Sequence, residues 1–465
     1  MTHQTAFAAL DAAFPGRIER GEAVRAQHGA GDSWHPAALP DAVFMAQSTE
    51  EVAQAVKLCA AHGCPIVPFG AGSCIEGQVN ATQGGLCIDL SQMDKLLRVS
   101  PEDMDCTVQA GLTRQALNEE LRATGLFLPI DIGAHATLGG MASTRASGTM
   151  TVRHGTMADL VMGLTVVLPD GQIVQTGGRA RKSSSGYDLT HLFIGAEGTL
   201  GIITELTLRL SGIPETAKAG LYSFPTIEAA TQTVVEALQF GLCLNRIELM
   251  DALQVKAINA YNKTELPDQP TLLVDLAGSE QQVDTDRDTF DALASENGAE
   301  LHPVNTPEDY SKVWALRHSA LYAARGLRPG CKSLSTDVCV PVSELPRILA
   351  ETGADLDAEG IIAPMHGHVG DGNFHLVMLF DDGDAEEKAR VQAAHGRLVE
   401  RALAMGGTAT GEHGVGLGKK KLHGGRARRG AGAYENAQAR GGPGQSDEPG
   451  QDFRSLVADD LRVCA

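Results

Sequence analysis

The chain has 465 residues, of which 43% are apolar and 21% are charged, and its formal net charge is −20. This length predicts two or three domains, and the composition is that of a folded protein. The deficit of basic residues, 38 Lys and Arg against 58 Asp and Glu, excludes a polyanionic partner such as a nucleic acid. An acidic small molecule could still bind where a few cations gather.

The nine cysteines are scattered and form no Cys-x-x-Cys pair, so they predict neither a disulfide framework nor a cysteine-ligated metal site. The first residues of the chain lack the apolar core of a signal peptide. No stretch approaches the roughly 18 continuous apolar residues of a membrane span. We therefore expect a cytoplasmic protein without a membrane span.

The first half of the chain mixes predicted strands with helices. Apolar residues at helical spacing predict a helix over 50–63, and a second helix is expected over 113–125. Residues 160–178 predict two strands joined by a Pro-Asp-Gly turn. Further short strands, rich in apolar or β-branched residues, are predicted at 65–70, 84–90, 106–112 and 199–210.

The pattern changes after Pro214. From residue 216 onward, strand, helix and strand follow one another repeatedly, which predicts an α+β domain whose helices cover one face of a sheet. In this part we expect a helix near 279–296, one long helix over 307–324 and a strand over 335–342.

Three segments rich in small residues could hold a long cofactor. In PFGAGSCIEG (68–77), Gly70 and Gly72 allow backbone N–H groups to approach an anion such as a pyrophosphate. Segments 129–161 and 195–205 likewise leave much backbone free for hydrogen bonding. A strand-to-loop turn would explain the first segment alone, but three such segments favour a cofactor. Their spacing is not the Gly-x-Gly-x-x-Gly of a nicotinamide site.

The run HGHVGDGNFH and the later GEHGVG are candidates for a metal site. The Gly-Asp-Gly turn can bring His368 and His375 toward one point, where Glu412 could add a carboxylate. Two imidazoles and one carboxylate are a common set of ligands for a divalent metal. His413 would then be free to accept a proton. Surface histidines, or a metal hydrolase without flavin, are the alternatives; the hydrolase leaves the Gly-rich segments unexplained.

Two cations could hold an acidic substrate. Arg317, in a predicted helix, could form a bidentate pair with a carboxylate, and Lys332 could add a second positive charge. A solvated helix arginine is the alternative explanation for Arg317.

Together and in this order, the segments resemble the FAD-linked oxidase family of the vanillyl-alcohol oxidase type, which includes glycolate oxidase and D-lactate dehydrogenase. The resemblance runs from about residue 35 to Lys421. Its most specific motifs are PFGAGS, SSSGYDLTHLFIGAEGTLGIITE, GHVGDGNFH and GEHGVGLGKKK. The stretch RPGCKSLSTDVCVP points to the D-lactate dehydrogenase (cytochrome) branch.

The resemblance implies an α+β fold in two parts. After an N-terminal segment, 1–34, residues 35–214 would form a two-part FAD-binding domain of the vanillyl-alcohol oxidase type. Residues 216–421 would form an α+β substrate-capping domain with an antiparallel sheet and a metal site. FAD would be held without a covalent bond. The positions that match the family's cofactor segments are Pro68, Phe69, Gly70, Ala71, Gly72, Ser73, Gly133, Thr137, Gly139, Gly140, Ser143, Ser147, Gly148, Glu197, Gly198, Gly201 and Ile203.

The resemblance also implies the chemistry of the site. The matching positions are His368, His375 and Glu412 as ligands of zinc or manganese, His413 as the catalytic base, and Arg317 and Lys332 as the residues that hold the substrate carboxylate. The activity implied is FAD-dependent oxidation of a D-2-hydroxyacid, foremost D-lactate to pyruvate, with electrons passed to a cytochrome or an electron-transfer flavoprotein. The alternatives are glycolate or D-2-hydroxyglutarate as substrate, and a non-functional remnant. Met150 and His154 stand where the family's pattern has Asn and Tyr.

The last part of the chain, 422–465, does not fit the family. It carries eight Gly and no apolar periodicity over its first 30 residues, so taken alone it predicts a disordered tail. Yet DEPGQ near its end can be encoded as GAT GAA CCC GGG CAA G, which gives MNPGK when translated one nucleotide later. The family continues with an Asn-Pro-Gly-Lys segment, and the same shift over 422–452 permits a helical pattern. We therefore interpret the tail as the family's own C-terminus, displaced by a frameshift near codon 421.

Independent sequencing of the locus should reveal a one-nucleotide insertion or deletion near codon 421. The frame-restored protein should be more stable and retain more FAD than the present chain, because it regains a helix and a segment near the flavin. Flavin spectra and D-lactate turnover of the two purified proteins measure the difference. An intact frame in independent reads, or a 465-residue product that is yellow, monodisperse and active, would contradict this interpretation.

Overall fold

The computed structural model describes residues 3–420, so the segment interpreted as frameshifted lies outside the described residues. Up to Gly212 the described chain alternates helices and strands. The helices are α1 (Gln4–Ala13), α2 (Glu22–Gln27), α3 (Thr49–Ala61), α4 (Arg114–Leu121), α5 (Leu138–Thr144), α6 (Thr151–His154), α7 (Met157–Leu160) and α8 (Leu189–Phe193). The strands are β1 (Ile18–Glu19), β2 (Ala42–Met45), β3 (Ile66–Phe69), β4 (Leu86–Asp89), β5 (Leu96–Ser100), β6 (Asp105–Gln109), β7 (Leu126–Phe127), β8 (Val161–Val167), β9 (Ile173–Gly177), β10 (Ile202–Arg209) and β11 (Ser211–Gly212).

These strands make two sheets and a short two-stranded ladder. The first sheet has the order β1–β2–β4–β3, in which β2, β4 and β3 run parallel. The second has the order β5–β6–β10–β8–β9 and is antiparallel throughout, and β7 pairs with β11. The strand pair predicted over 160–178 is confirmed as β8 and β9, which pair antiparallel across the Pro-Asp-Gly turn.

Helix α3 confirms a helix predicted from its local sequence pattern, and its cap, buried face and end explain why. The Ser48 hydroxyl accepts a hydrogen bond from a backbone N–H of the first turn, which caps the helix. One face, including Val52 and Cys59, is buried against the sheet. The helix ends at Ala61, two residues before its predicted end, and Gly63 follows in the left-handed conformation (φ 61°) that glycine adopts readily.

From Thr216 the chain forms the second domain. Its strands are β12 (Thr216–Ser223), β13 (Leu244–Met250), β14 (Thr271–Gly278), β15 (Glu300–His302), β16 (Lys332–Ser335), β17 (Val338–Cys339), β18 (Met365–Gly367) and β19 (Asn373–Phe380). Its helices are α9 (Ile227–Gln239), α10 (Ala252–Asn262), α11 (Glu280–Glu296), α12 (Pro307–His318), α13 (Ala320–Gly326), α14 (Leu345–Glu359) and α15 (Ala385–Ala404). Within residues 3–420, no helix is both long and apolar enough to cross a lipid bilayer.

The second domain is built on one antiparallel sheet, which confirms the α+β fold in two parts. The strand order is β15–β12–β14–β13–β18–β19–β16, and β17 also pairs with β19. The expectation that helices cover one face is wrong. Helices α9, α11, α14 and α15 pack on one face, and α10, α12 and α13 pack on the other. In β14 the neighbours Leu272 and Leu273 point to opposite faces and are both buried, so each face needs a cover.

The single helix predicted over 307–324 is also wrong, because the chain divides it at Ser319. The Ser319 hydroxyl donates to the carbonyl oxygen of Leu316 (2.9 Å) and accepts a hydrogen bond from Asn262 (2.9 Å). A serine hydroxyl competes with the helical backbone in this way. The break separates α12 from α13.

The N-terminal residues pack into the first domain. Leu10 and Phe14 are buried in the same core as Phe44, and β1 pairs with β2. Burying two such side chains stabilises the fold by roughly 1.5–3 kcal/mol each. Residues 3–34, predicted to be a separate segment, therefore contribute to the core of the first domain.

A buried ion pair ties α2 to the end of β4. His28 Nε2 lies 2.9 Å from Asp89 Oδ2, and His28 Nδ1 lies 2.7 Å from the carbonyl oxygen of Val24. The imidazole also packs on the Phe69 ring at 4.5 Å, at the start of the first small-residue loop. The hydrogen bond to Asp89 raises the pKa of His28, although burial opposes the shift.

Replacing His28 by Gln should lower the free energy of unfolding in a pH-dependent way. Because the folded-state pKa is raised above 6.5, the stabilisation is complete below about pH 6.5 and is lost as the pH rises through the folded value. We expect a loss of about 1–3 kcal/mol below pH 6.5. Denaturant unfolding at pH values from about 5.5 to about 9 measures the free energy of unfolding. The exposed His62→Gln is the control; a His28→Gln effect independent of pH would contradict the ion pair.

Candidate functional site

The loop after β3 lines a large cavity between the two domains. Gly72 has φ 66°, and a Cβ there would lie 2.7 Å from the Phe69 ring. A Cβ at Gly70 would lie 2.2 Å from Thr137 Oγ1. Any larger residue would therefore displace one of the two loops that line the cavity.

The other two small-residue segments pack against this loop. Thr137 caps α5 by accepting a hydrogen bond from the N–H of Gly140 (3.3 Å), and a Cβ at Gly139 would lie 2.6 Å from the Cβ of Ala110. The predicted cofactor residues that line the cavity are Pro68, Phe69, Gly70, Ala71, Gly72, Ser73, Gly133, Thr137, Gly139, Gly140, Ser143, Ser147, Glu197, Gly198, Gly201 and Ile203. Gly148 does not line it. This glycine lets the backbone pass close to Asp131, whose carbonyl oxygen would lie 2.1 Å from an added Cβ.

Glu197 links the two domains. Its Oε1 accepts hydrogen bonds from the N–H groups of Val415 (2.9 Å) and Gly416 (3.2 Å) and from the Gln78 amide (3.0 Å). Glu197 itself adopts φ 50°, a left-handed conformation that costs a non-glycine residue about 1–2 kcal/mol. The three hydrogen bonds offset this cost, and the two from Val415 and Gly416 hold the GEHGVG loop against the first domain.

His368, His375 and Glu412 converge on one point of the cavity wall. Glu412 Oε1 lies 3.3 Å from His368 Nε2 and 3.2 Å from His375 Nε2. One ligand atom from each residue lies within 4.8 Å of the other two. The Ser147 hydroxyl donates to Glu412 Oε2 (2.7 Å) and so orients the carboxylate. The structure thus brings the three predicted ligands together.

Both imidazoles are held by their other nitrogen. His368 Nδ1 lies 2.7 Å from Glu248 Oε1, and His375 Nδ1 lies 3.0 Å from the carbonyl oxygen of Thr336. An N–H donated to these oxygens leaves each Nε2 as the atom that faces the cluster. Metal-ligating histidines are oriented in this way.

The carboxylates around the cluster stabilise positive charge on His368. Burial alone would lower the pKa of His368, but Glu248 and Glu412 together raise it to about 10. His368 and Arg317 in turn lower the pKa of the fully buried Glu248 against the effect of burial. Two ionised carboxylates therefore surround a point that favours positive charge.

His413 stacks on His375, with ring centroids 4.9 Å apart and planes 10° apart. Its Nε2 lies 3.9 Å from Glu412 Oε1. Its Nδ1 is buried and has no hydrogen-bond partner among residues 3–420. Burial lowers the pKa of His413 to about 3, so the imidazole is neutral at pH 7.

Asp337 organises the loop that carries Glu412 and His413, and no sequence motif identified it. Its Oδ2 accepts hydrogen bonds from the backbone N–H groups of Gly411 (2.8 Å), Glu412 (2.9 Å) and His413 (2.9 Å). Lys419 Nζ lies 3.2 Å from the same oxygen. Although burial opposes it, Lys419 holds the pKa of Asp337 well below its usual range. The available signal was an acidic residue inside the apolar run STDVCVPV.

Arg317 lies in the last turn of α12 and lines the cavity. Its Nε donates to Glu248 Oε2 (2.6 Å), the carboxylate that also contacts His368. Glu248 thus fixes Arg317 and His368 relative to each other. This coupling was not predicted, although RIELM places an acidic residue inside an apolar strand.

Lys332 does not reach the cavity, which corrects the predicted role in substrate binding. Its side chain is half exposed on β16, where Nζ lies 3.0 Å from Asp382 Oδ2. Ser335, three residues later, lines the cavity instead. Side chains alternate along a strand, so two positions an odd number apart point to opposite faces.

Other cavity residues were not predicted: His318, Leu321, Ser335, His366 and Val377. His366 pairs with His375 across β18 and β19, and the centroids of their rings lie 5.6 Å apart. Burial lowers its pKa well below the usual value. The sequence motif contained this histidine, but only the strand pairing shows that it joins the others.

Known proteins share both halves of this architecture. Residues 40–177 match the family described as FAD binding domain, and residues 213–434 match the C-terminal domain of FAD linked oxidases. The probable D-lactate dehydrogenase, mitochondrial, of Danio rerio is 47% identical over 409 residues, 87% of this chain and 82% of the relative. The chain belongs to the FAD-linked oxidase family. The second match extends past Lys421, where the motif resemblance ends.

Two further comparisons extend the family assignment. The mitochondrial D-lactate dehydrogenase [cytochrome] of Arabidopsis thaliana is 42% identical over 392 residues, 84% of this chain and 69% of the relative. The crystal structure of p-cresol methylhydroxylase with substrate bound superposes with a TM-score of 0.75 at 19% identity, covering 94% of this chain and 95% of that one. The latter likeness confirms the fold of this FAD-linked oxidase.

The predicted cytoplasmic location is wrong, because these FAD-linked oxidase relatives are named as mitochondrial. The prediction rested on scattered cysteines and on the lack of long apolar runs. Scattered free cysteines indicate a reducing compartment, and the cytoplasm shares this property with the mitochondrial interior.

Proposed function

We propose that this chain is an FAD-dependent dehydrogenase that oxidises D-lactate to pyruvate and passes the electrons to a cytochrome or an electron-transfer flavoprotein. One observation carries the proposal: the glycine-rich loops of the first domain meet Arg317, His413 and the cluster of His368, His375 and Glu412 in a single cavity. The relatives named D-lactate dehydrogenase support the choice of substrate.

The first-domain loops fit FAD. Positions 70, 72 and 139 have no room for a Cβ, so the backbone itself lines the cavity where a long cofactor could lie. When bound, FAD supplies the acceptor for two electrons. Cys74 lines the same cavity, but burial raises the pKa of its thiol, which keeps it protonated and a poor nucleophile. This supports FAD bound without a covalent tether.

The cluster of His368, His375 and Glu412 fits a divalent cation such as zinc or manganese. Its three ligand atoms converge, and the Nδ1 atoms of both imidazoles already have partners. When bound, the cation supplies a Lewis acid for the substrate hydroxyl. Zinc sites with open positions commonly have three protein ligands of this kind.

The remaining groups would bind the substrate and move its proton. Arg317 would pair with the carboxylate, because Glu248 already holds its guanidinium at the cavity wall. His413 would accept the hydroxyl proton at Nε2, the nitrogen nearest Glu412. Because Glu248 contacts both Arg317 and His368, the carboxylate-binding group and the metal ligand are held at one spacing.

The walls of the cavity favour a small monocarboxylate. Among the described residues that line it, Arg317 is the one Lys or Arg side chain. The second carboxylate of D-2-hydroxyglutarate would therefore lack a cationic partner. Leu321 and Val377 offer apolar contacts for a methyl group, which glycolate lacks.

Arg317→Lys should lower kcat/KM for D-lactate by about 10- to 100-fold, because it removes a bidentate charged contact while keeping the charge. Lys332→Gln is the matched control and should leave kcat/KM unchanged, since Lys332 pairs with Asp382 outside the cavity. Turnover is measured with FAD-loaded protein and an artificial dye as acceptor. Flavin spectra of both variants verify that the cavity is intact.

A panel of D-lactate, L-lactate, glycolate and D-2-hydroxyglutarate tests the substrate in the same assay. The expected order of kcat/KM places D-lactate first. A preference for D-2-hydroxyglutarate would contradict the proposed substrate pocket. A larger loss of kcat/KM in Lys332→Gln than in Arg317→Lys would contradict it as well.

Removal of the metal should abolish turnover but not FAD binding. Dialysis of the holoenzyme against a chelator should lower turnover at least about tenfold, and zinc or manganese should restore it. Glu412→Gln should lose metal content, measured by elemental analysis, while the exposed Glu400→Gln on α15 should keep it. Full activity of metal-free protein would show that the cluster holds no catalytic cation.

A further inference from the structure

A second cavity, of about 560 Å³, lies at the junction of the two domains. Helices α4 and α6 of the first domain and strands β13 and β14 of the second contribute to its wall. Its volume is in the range of small-molecule sites. The charged side chains that line it are Arg114, Arg122, Arg153, Arg246 and, as the single carboxylate among the described lining residues, Glu119.

The arginines are incompletely neutralised. Arg114 and Arg246 share one carboxylate, Asp131, at 3.1 Å and 3.5 Å. Arg153 donates to the carbonyl oxygen of Ala277, and no carboxylate of residues 3–420 lies within ion-pair distance of it. Such an excess of positive charge stands out in a chain with a net charge of −20.

Arg246 can donate a hydrogen bond to a further acceptor. Its Nε is buried and has no hydrogen-bond partner among the described residues. Its guanidinium lies 4.5 Å from the centre of the Trp314 ring, which holds it in place from one side. A buried donor without a partner costs about 1–3 kcal/mol, and an anion that accepts from it would recover this energy.

The further carboxylate at this wall, Asp275, is screened from the cavity. Asn245 and Tyr310, which line the cavity, both donate to Asp275 Oδ2 at 2.7 Å and 3.0 Å. Burial raises the pKa of Asp275. Arg246 and Arg153 act against this shift, so Asp275 offsets part of the charge of these two arginines.

We propose that this cavity binds a small organic polyanion, a di- or tricarboxylate or a phosphate ester. Arginine guanidinium groups match the planar geometry of carboxylate and phosphate oxygens. Phe127 and Ile213 add apolar wall for a carbon skeleton. Met150 and His154, where the sequence departs from the family's pattern, also line this cavity.

The position of Asp131 links this site to the first cavity. Besides the two arginines, Asp131 contacts His318 at 3.5 Å, and His318 lines the first cavity. An anion that draws Arg114 and Arg246 away would leave Asp131 more strongly paired with His318. An anion bound in the second cavity would thus change the pairing of His318 in the first cavity.

Calorimetric titration of the FAD-loaded protein with citrate and with inorganic phosphate, at constant ionic strength, tests the proposal. Citrate should bind with one site per chain. Gln115→Glu, which adds a negative charge at the rim without breaking an ion pair, should weaken citrate binding about two- to fivefold. Arg246→Gln should weaken it about tenfold or more. Gln392→Glu, exposed on helix α15, which contributes no residue to the cavity wall, is the matched control.

Two outcomes would overturn the proposal: no binding of either anion, or binding that Gln115→Glu and Gln392→Glu weaken equally. Loss of citrate binding in Arg317→Lys but not in Arg246→Gln would place the anion in the first cavity and also reject it. These measurements record binding alone, so they are independent of whether D-lactate is the substrate.

Discussion

The buried carboxylate of Asp337 is the constraint on which the rest of the site depends. One oxygen accepts three consecutive backbone N–H groups and contacts the ammonium of Lys419. Removing a carboxylate from water costs several kcal/mol, and only a full set of partners offsets that cost. Those partners are the loop that carries Glu412 and His413. The conformation of this loop is therefore set by the need to satisfy one buried charge.

Two further acids, Glu248 and Glu197, hold groups of the site at fixed distances. Glu248 is fully buried and contacts His368 and Arg317 at once, so these two side chains are held together. Glu197 carries strain in its own backbone and holds the GEHGVG loop through hydrogen bonds from the N–H groups of Val415 and Gly416. Each acid joins groups that lie far apart in the sequence. Rigid placement of this kind is what a hydride-transfer site requires.

Asp131 also contacts several groups at once, but its contacts connect the two cavities. It divides one negative charge between two arginines of the second cavity and His318 of the first. A shared charge cannot satisfy all its partners equally. Competition for Asp131 is thus a physical route by which an anion bound in one cavity alters the other.

Much of the fold and site could be predicted from the sequence. Strands β8 and β9 and helix α3 follow from local patterns, since their turn and capping residues act within a few positions. The glycines at 70, 72 and 139 and the cluster of His368, His375 and Glu412 follow from motifs that keep their spacing. Lys332 was misassigned because a short motif does not show which face of β16 it occupies. The division of the 307–324 helix depends on a hydroxyl that bonds to Asn262 on another helix.

The sequence by itself determined the family, the cofactor loops and the identity of His368, His375, Glu412 and His413, because each rests on steric or chemical demands that short segments carry. Only the tertiary structure decided which acids hold them. Glu248 is separated from His368 by 120 positions, and Asp337 is separated from Lys419 by 82. These contacts depend on burial and charge pairing between distant parts of the chain, which no local pattern shows.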